Sequence, residues 1–209
     1  MTAARTAIER EARARRTLDD GENAALADLA ARIRELNEAV VHTGVGADEV
    51  AEVSAAVAAL TERLAAERRD HPPVGPVGPS GMARQLANPV SGPLSPIAPP
   101  VKITVDPDGT ARTAFTLSAV YEGPPSFVHG GVSAMILDQL LGVASLSNGT
   151  PGLTATLDLR YSLPTPHSVP LTAEARVTRT DGRRSFGEGR IVGPDGRTTV
   201  RATAVFVRP

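Results

Sequence analysis

The chain has 209 residues, of which 41% are hydrophobic, with 22 Lys/Arg against 23 Asp/Glu and no cysteine. A net charge of −1 without a basic patch argues against nucleic acid as a partner. The absence of thiols removes disulfides and thiolate chemistry, and no run approaches the roughly 18 uninterrupted apolar residues of a membrane span. The opening "MTAARTAIEREARARR" is charged and lacks an apolar core, so no secretory signal and a cytoplasmic location are expected.

Residues 1–70 read as helical. Leu26, Leu29, Ile33, Leu36 and Val40 recur at alternating spacings of three and four, and Val50, Val53, Val57, Leu60 and Leu64 repeat the pattern. Each set draws one narrow apolar stripe along a helix. Between them "HTGVGADE" offers a glycine stop at Gly44 and a cap at Asp48. The expectation is an antiparallel helical hairpin, with a further short helix before Gly21. The two stripes either close on one another or dock a partner or a second subunit.

Residues 71–100 read as a linker. Nine prolines and four glycines lie between His71 and Pro100. Proline removes backbone donors and restricts the residue before it, so neither helix nor sheet is expected, and the product is a semi-rigid extended connector.

Residues 101–209 alternate in the manner of strands. "VKITVD" and "ARTAFTLSAV" flank the turn "PDGT" and read as a hairpin. Residues 131–146 are the one helical segment. "LTATLDLRYSL", "PLTAEARVTRT", "RRSFGEGRIV" and "TTVRATAVFV" follow, the last three joined by "DGRR" and "GPDGRT". The order β-β-α-β-β-β-β, with a helix apolar over most of its circumference, predicts an α+β layer arrangement. An antiparallel sheet wrapped around one central helix is the hotdog architecture.

The stretch "YEGPPSFVHGGVSAMILDQLLG", residues 121–142, carries the chemistry. Pro124 and Pro125 hold the loop extended ahead of His129. Gly130 and Gly131 let backbone approach a ligand at the helix start, where unpartnered N–H groups and the helix dipole favour a developing oxyanion. Asp138 has Ala134, Met135, Leu141 and Gly142 as helical neighbours and no Lys or Arg within one turn. Such a carboxylate serves as base or nucleophile, finds a distant partner, or lies on a wet stripe near Gln139 or Ser145. On the next strand Thr154, Thr156, Asp158 and Arg160 share one face, while Ala155, Leu157, Leu159 and Tyr161 share the other, which suits the helix. His129 can cap its own loop through the ring nitrogens. His42, His71 and His167 lie far away without metal-ligand spacing, so no metal is expected.

These residues carry a resemblance. H-G-G with an aspartate nine residues after the histidine, matched by His129 and Asp138, resembles the signature of the PaaI-type hotdog acyl-CoA thioesterases, in particular the branch like human thioesterase superfamily member four. A Thr seven residues before a tyrosine, matched by Thr154 and Tyr161, resembles the family's following strand, and "NPVSGPLSPIAPP" resembles the run leading into the domain. The resemblance spans about residues 86–208. It implies Asp138 as general base or nucleophile, the Gly130 N–H as the group polarising the thioester carbonyl, and Gly131 beside it as substrate-binding. It further implies Thr154 positioning the water or the carboxylate, and His129 shaping the loop. No cofactor is implied, since CoA enters with the substrate. Relatives assemble as dimers or tetramers that set the aspartate of one subunit near the glycine of another, so a homodimer or homotetramer is expected. Six residues before the histidine, where some relatives carry Asn or Gln, this chain has Gly123.

Other functions on the same frame are a hydratase, whose D-x-N-P-x-H pattern is absent here, a non-catalytic acyl-CoA-binding or scaffold protein, and a thioesterase acting on acyl carrier protein.

Overall fold

The structure, a computed structural model, describes residues 10–11, 15–77 and 83–208. The short helix expected before Gly21 lies largely outside them. Helix α1, Asp20–His42, starts on a capping box: Asp19 Oδ1 accepts the Glu22 N–H at 2.8 Å, and the Glu22 carboxylate accepts the Asp19 N–H at 3.3 Å. Helix α2, Ala47–Ala65, begins at Gly46 with no side-chain cap, and Asp48 sits inside its first turn rather than capping it.

The two helices do not close as the expected hairpin with matched stripes. α1 rests on the body of the molecule: Ala30 is buried, Arg34 donates to the Ser95 carbonyl at 2.9 Å, and Asn37 donates to the Pro96 carbonyl at 3.3 Å. α2 buries no residue, and its whole stripe of Val50, Val53, Val57, Leu60 and Leu64 is exposed.

The proline-rich segment differs from a free spacer as well. Val74–Val77 (β1) pairs with Ala83–Gln85 (β2), and Leu86, Val90, Ala98 and Val101 are all buried. Prolines forbid a regular ladder but not burial, provided the remaining donors are met. Asn88 meets two of them, its side-chain oxygen accepting the Val90 and Ser91 N–H groups at 2.8 and 3.0 Å.

The body is the hotdog fold. Its elements are β3 (Thr104–Val105), β4 (Ala111–Thr116), a 3-10 turn (Ala119–Tyr121), α3 (Gly130–Ser147), β5 (Leu153–Tyr161), β6 (Pro170–Asp181), β7 (Arg184–Val192) and β8 (Thr198–Val207). The six strands form one antiparallel sheet in the order β3-β4-β6-β7-β8-β5. "VKITVD" pairs only at Thr104–Val105, so the first hairpin is shorter than the sequence suggests.

Strand alternation explains the packing. Ala111, Thr113 and Phe115 of β4 and Val200, Ala202, Ala204 and Phe206 of β8 are buried, while their neighbours point outward. The outward face carries cross-strand pairs such as Arg176–Glu188 and Arg190–Glu174, both at 2.6 Å, which solvate it more than they stabilise it. α3 buries Ile136, Leu137, Leu140, Leu141 and Ala144, a spacing of one, three, one and three that makes one broad apolar face. The sheet meets these leucines with small residues. At Gly187 an added Cβ would stand 2.9 Å from Leu141 Cδ2, so glycine is what lets the helix sit this close. By length and composition α3 is apolar enough to cross a membrane, but here it is the core helix of the sheet.

Candidate active site

The loop before α3 is tighter than two prolines alone imply. Phe127 N–H donates to the Pro124 carbonyl at 2.9 Å, with Pro125 and Ser126 between them and Ser126 at φ 72. That is a type II turn, with proline in its favoured position and a strained serine where glycine is preferred. Gly123 N–H donates to the Phe127 carbonyl at 2.9 Å, closing a miniature hairpin in which Glu122 bridges Val128. The prolines therefore fold the chain back, in place of the expected extension, and α3 starts only at Gly130.

His129 is the N-cap of α3. Its N–H donates to the Tyr121 carbonyl at 2.9 Å, which ties it to the 3-10 turn. Its ring folds over the helix start, and Nδ1 accepts the Gly131 N–H at 3.0 Å. An accepting Nδ1 places the ring proton on Nε2. Any Cβ at Gly131 would lie 3.1 Å from that Nδ1, so the second glycine leaves room for the ring. With Gly131 N–H taken, the Gly130 N–H is the first helical donor, without an acceptor among the described residues.

Asp138 stands two turns further along α3, half-buried and off the core-facing side. Its neighbour is Thr154, whose hydroxyl donates to Asp138 Oδ1 at 3.0 Å. Strict alternation places Thr154 on the face away from the helix, and the structure corrects this. Thr154 pairs with Phe206 and Thr156 with Val205, leaving Ala155 as an extra residue, a β-bulge. The bulge turns Thr154 onto the face that carries Leu157, Leu159 and Tyr161. Ser145 is not on a wet stripe. It is buried, with its hydroxyl 3.0 Å from that of Ser185, and Gln139 accepts from Asn88 at 3.1 Å.

Tyr161 is a contributor to which the sequence assigned no role. Its hydroxyl donates to the Gly130 carbonyl at 2.9 Å, and its ring lies where a Cβ on Gly130 would approach to 3.3 Å. The signal was present in the spacing from Thr154 to Tyr161, but only the bulge brings both side chains to the helix. Thus β5 holds α3 at two points, Asp138 through Thr154 and Gly130 through Tyr161. Asp138 and Gly130 themselves are not brought together. Eight residues of helix rise by about 12 Å, too far for one carbonyl group to meet both within one chain.

β5 is an edge strand, and Leu153, Thr154, Thr156, Asp158 and Tyr161 are exposed along it. The site therefore opens at the unpaired edge of the sheet. On the other side of Tyr121, a cavity of about 560 Å³ opens between α1 and the body, lined in part by Arg34, Asn37, Pro96, Thr116 and Val120. Burial pushes the Tyr121 hydroxyl above the usual tyrosine range.

A family model described as Thioesterase superfamily matches residues 126–200. A thioesterase superfamily protein of known crystal structure is 33% identical and superposes with a TM-score of 0.80, covering 87% of this chain and 94% of that one. That coverage exceeds what residues 71–209 alone supply, so the likeness extends into the N-terminal helices. Acyl-coenzyme A thioesterase THEM4 of Mus musculus is 33% identical over 88 residues, 42% of this chain and 38% of that protein. The protein of the same name from Xenopus laevis is 31% identical over 88 residues, 42% of this chain and 40% of its own length. The chain thus spans about two fifths of the length of these curated relatives.

Proposed function

This chain belongs to the thioesterase superfamily, and we propose on that premise that it hydrolyses acyl-CoA thioesters to the free acid and CoA. The observation that carries the reading is the Thr154 hydroxyl donating to Asp138 at 3.0 Å beside an exposed edge strand. Similarity to acyl-coenzyme A thioesterase THEM4 favours acyl-CoA as the substrate class and that branch of PaaI-type enzymes.

The site is completed by a second copy of the chain, because Asp138 and Gly130 of one chain lie about 12 Å apart along the helix. Pairing of two such bodies sets Asp138 of one protomer opposite the Gly130 N–H of its partner. That N–H polarises the thioester carbonyl and holds the oxyanion. Asp138 takes a proton from water, whose oxygen adds to the carbonyl carbon, or adds to it directly as nucleophile. In the first case the C–S bond breaks as Asp138 passes its proton to the departing CoA sulfur. In the second, CoA leaves as the thiolate, and a water hydrolyses the acyl–Asp138 anhydride, releasing the acid and freeing the carboxylate. Having donated to Asp138, the Thr154 hydroxyl keeps its lone pairs for the proton of an attacking water. His129 holds the helix start and leaves Gly130 as the free donor. Gly131 gives up its N–H to that ring and shapes the turn on which the substrate carbonyl rests.

A panel of acyl-CoA esters of varied length and aromaticity, scored by release of free thiol, tests the reading. Turnover of at least one ester is expected. Binding of CoA esters without thiol release from any of them would support the non-catalytic acyl-CoA-binding reading in its place.

Two side chains have smaller expected effects. Thr154→Val keeps the branched shape and strand preference but removes one hydrogen bond to a charged group, worth roughly 1.5 kcal/mol or more. Hydrolysis is expected to slow about tenfold in a variant that still folds and melts cooperatively, and full activity in a stable variant reduces Thr154 to an ordinary strand residue. Tyr161→Phe removes only the hydroxyl that steadies the Gly130 carbonyl. A loss of roughly threefold to tenfold in kcat is expected, with KM moving less. A change in melting temperature alone would make Tyr161 structural.

A further inference from the structure

The stripe on α2 has no partner among the described residues, although it is as regular an apolar pattern as the stripe on α1. Val50, Val53, Val57, Leu60 and Leu64 are between 37% and 57% exposed. Their spacings of three, four, three and four make a narrow seam rather than the broad stripe of a helix that lies on a core. In heptad terms Val50, Val57 and Leu64 take the a positions, and Val53 and Leu60 take the d positions.

We infer that α2 pairs with α2 of a second copy of this chain, in antiparallel orientation, as a short two-stranded coiled coil. Antiparallel pairing sets a against d. Val50 then faces Leu60 of the other copy, Val53 faces Val57, and both contacts repeat by two-fold symmetry. Leu64 closes the end against the small Gly46. Charge decides the orientation. Asp48 and Glu49 lie in the first turn of α2 and Arg63 in the last. Glu49 and Arg63 both occupy g positions, which flank each other in the antiparallel arrangement, so each Glu49 meets the Arg63 of the other copy. A parallel pair instead sets the two acidic first turns side by side, where like charges and like helix dipoles repel. The other flank carries Ser54 and Thr61, neutral in either arrangement.

Nineteen residues form a seam too short to pair firmly in isolation. The pairing rests on the subunit association proposed above, which raises the effective concentration of one α2 for another.

The chain has no cysteine, which makes disulfide trapping in the full-length protein direct. Val50→Cys combined with Leu60→Cys is expected to give covalent dimers under mild oxidation, through position 50 of one copy and 60 of the other. Leu60→Cys alone is expected to give little, since it faces Val50. Equal trapping by the single variant shows parallel pairing and overturns the orientation. No trapping by the double variant overturns the pairing and leaves the stripe to a different partner. Adding Arg63→Glu to the double variant is expected to lower the trapped fraction severalfold, and Glu49→Arg with it to restore trapping. Light scattering under reducing conditions separates this failure from failure of the dimeric site. A dimer or tetramer whose cysteines do not link refutes α2 pairing alone, and a monomer refutes both.

Discussion

Asp138→Asn is expected to fold, to keep its subunit assembly and to lose at least about a hundredfold in thioester hydrolysis. The amide is nearly the size and shape of the carboxylate, and its oxygen can still accept from Thr154, which now donates to Asp138 at 3.0 Å. Local packing therefore has little reason to change. What disappears is the ability to take a proton or to attack a carbonyl, and losing a general base or nucleophile commonly costs factors of about 100 or more. Thiol release with the best ester of the panel, beside a melting curve, measures it. Wild-type turnover in Asp138→Asn would move the chemistry away from this helix and favour a binding role for the fold. Because the proposed site joins two chains, a mixing experiment adds a second reading. Asp138→Asn subunits exchanged with subunits damaged only on the Gly130 side are expected to regain activity at one of the two sites in each mixed dimer. Absence of any recovery on verified exchange would overturn the assignment of Asp138 and Gly130 to one shared site.

The frame of the molecule was legible because its signals are periodic. Alternation in β4 and β8 and the apolar circumference of α3 each report burial directly. The H-G-G stretch was legible as a helix start for the same reason, since glycines and a histidine precede an apolar run. Where pattern reading fell short, a single residue broke the period or a composition misled. The bulge at Ala155 shifts Thr154 by one face, and no alternation rule places an extra residue in advance. Proline content argued for an extended connector over 71–100, yet Leu86, Val90, Ala98 and Val101 anchor it, because burial of side chains does not require a ladder. The two N-terminal stripes looked alike in sequence. α1 found the body through Ala30, Arg34 and Asn37, a face offset from its leucines, and α2 buries no residue against the rest of the described chain.

Gly123→Ala is expected to cost about a hundredfold in kcat/KM although position 123 touches no substrate in the proposed mechanism. A Cβ there would lie 2.8 Å from His129 Cα, 3.1 Å from its Cβ and 3.2 Å from its Cδ2. The first of these is backbone, so the clash cannot be relieved by turning a side chain. One strand of the miniature hairpin has to move, and the Gly123 N–H to Phe127 carbonyl bond at 2.9 Å resists that movement. The displacement falls on His129, the N-cap that sets the direction of the Gly130 N–H. A shift of about 1 Å in a polarising donor is enough for a loss near a hundredfold, while overpacking of this kind lowers stability by about 1–3 kcal/mol. In this loop, a side chain at 123 runs into the backbone of the histidine N-cap at 129. Gly44→Ala is the matched control, since a Cβ there meets nothing within 4 Å, and it should leave both rate and melting unchanged. Full activity in Gly123→Ala would show that the loop yields without moving Gly130, and would separate the cap on α3 from the chemistry assigned to its first N–H.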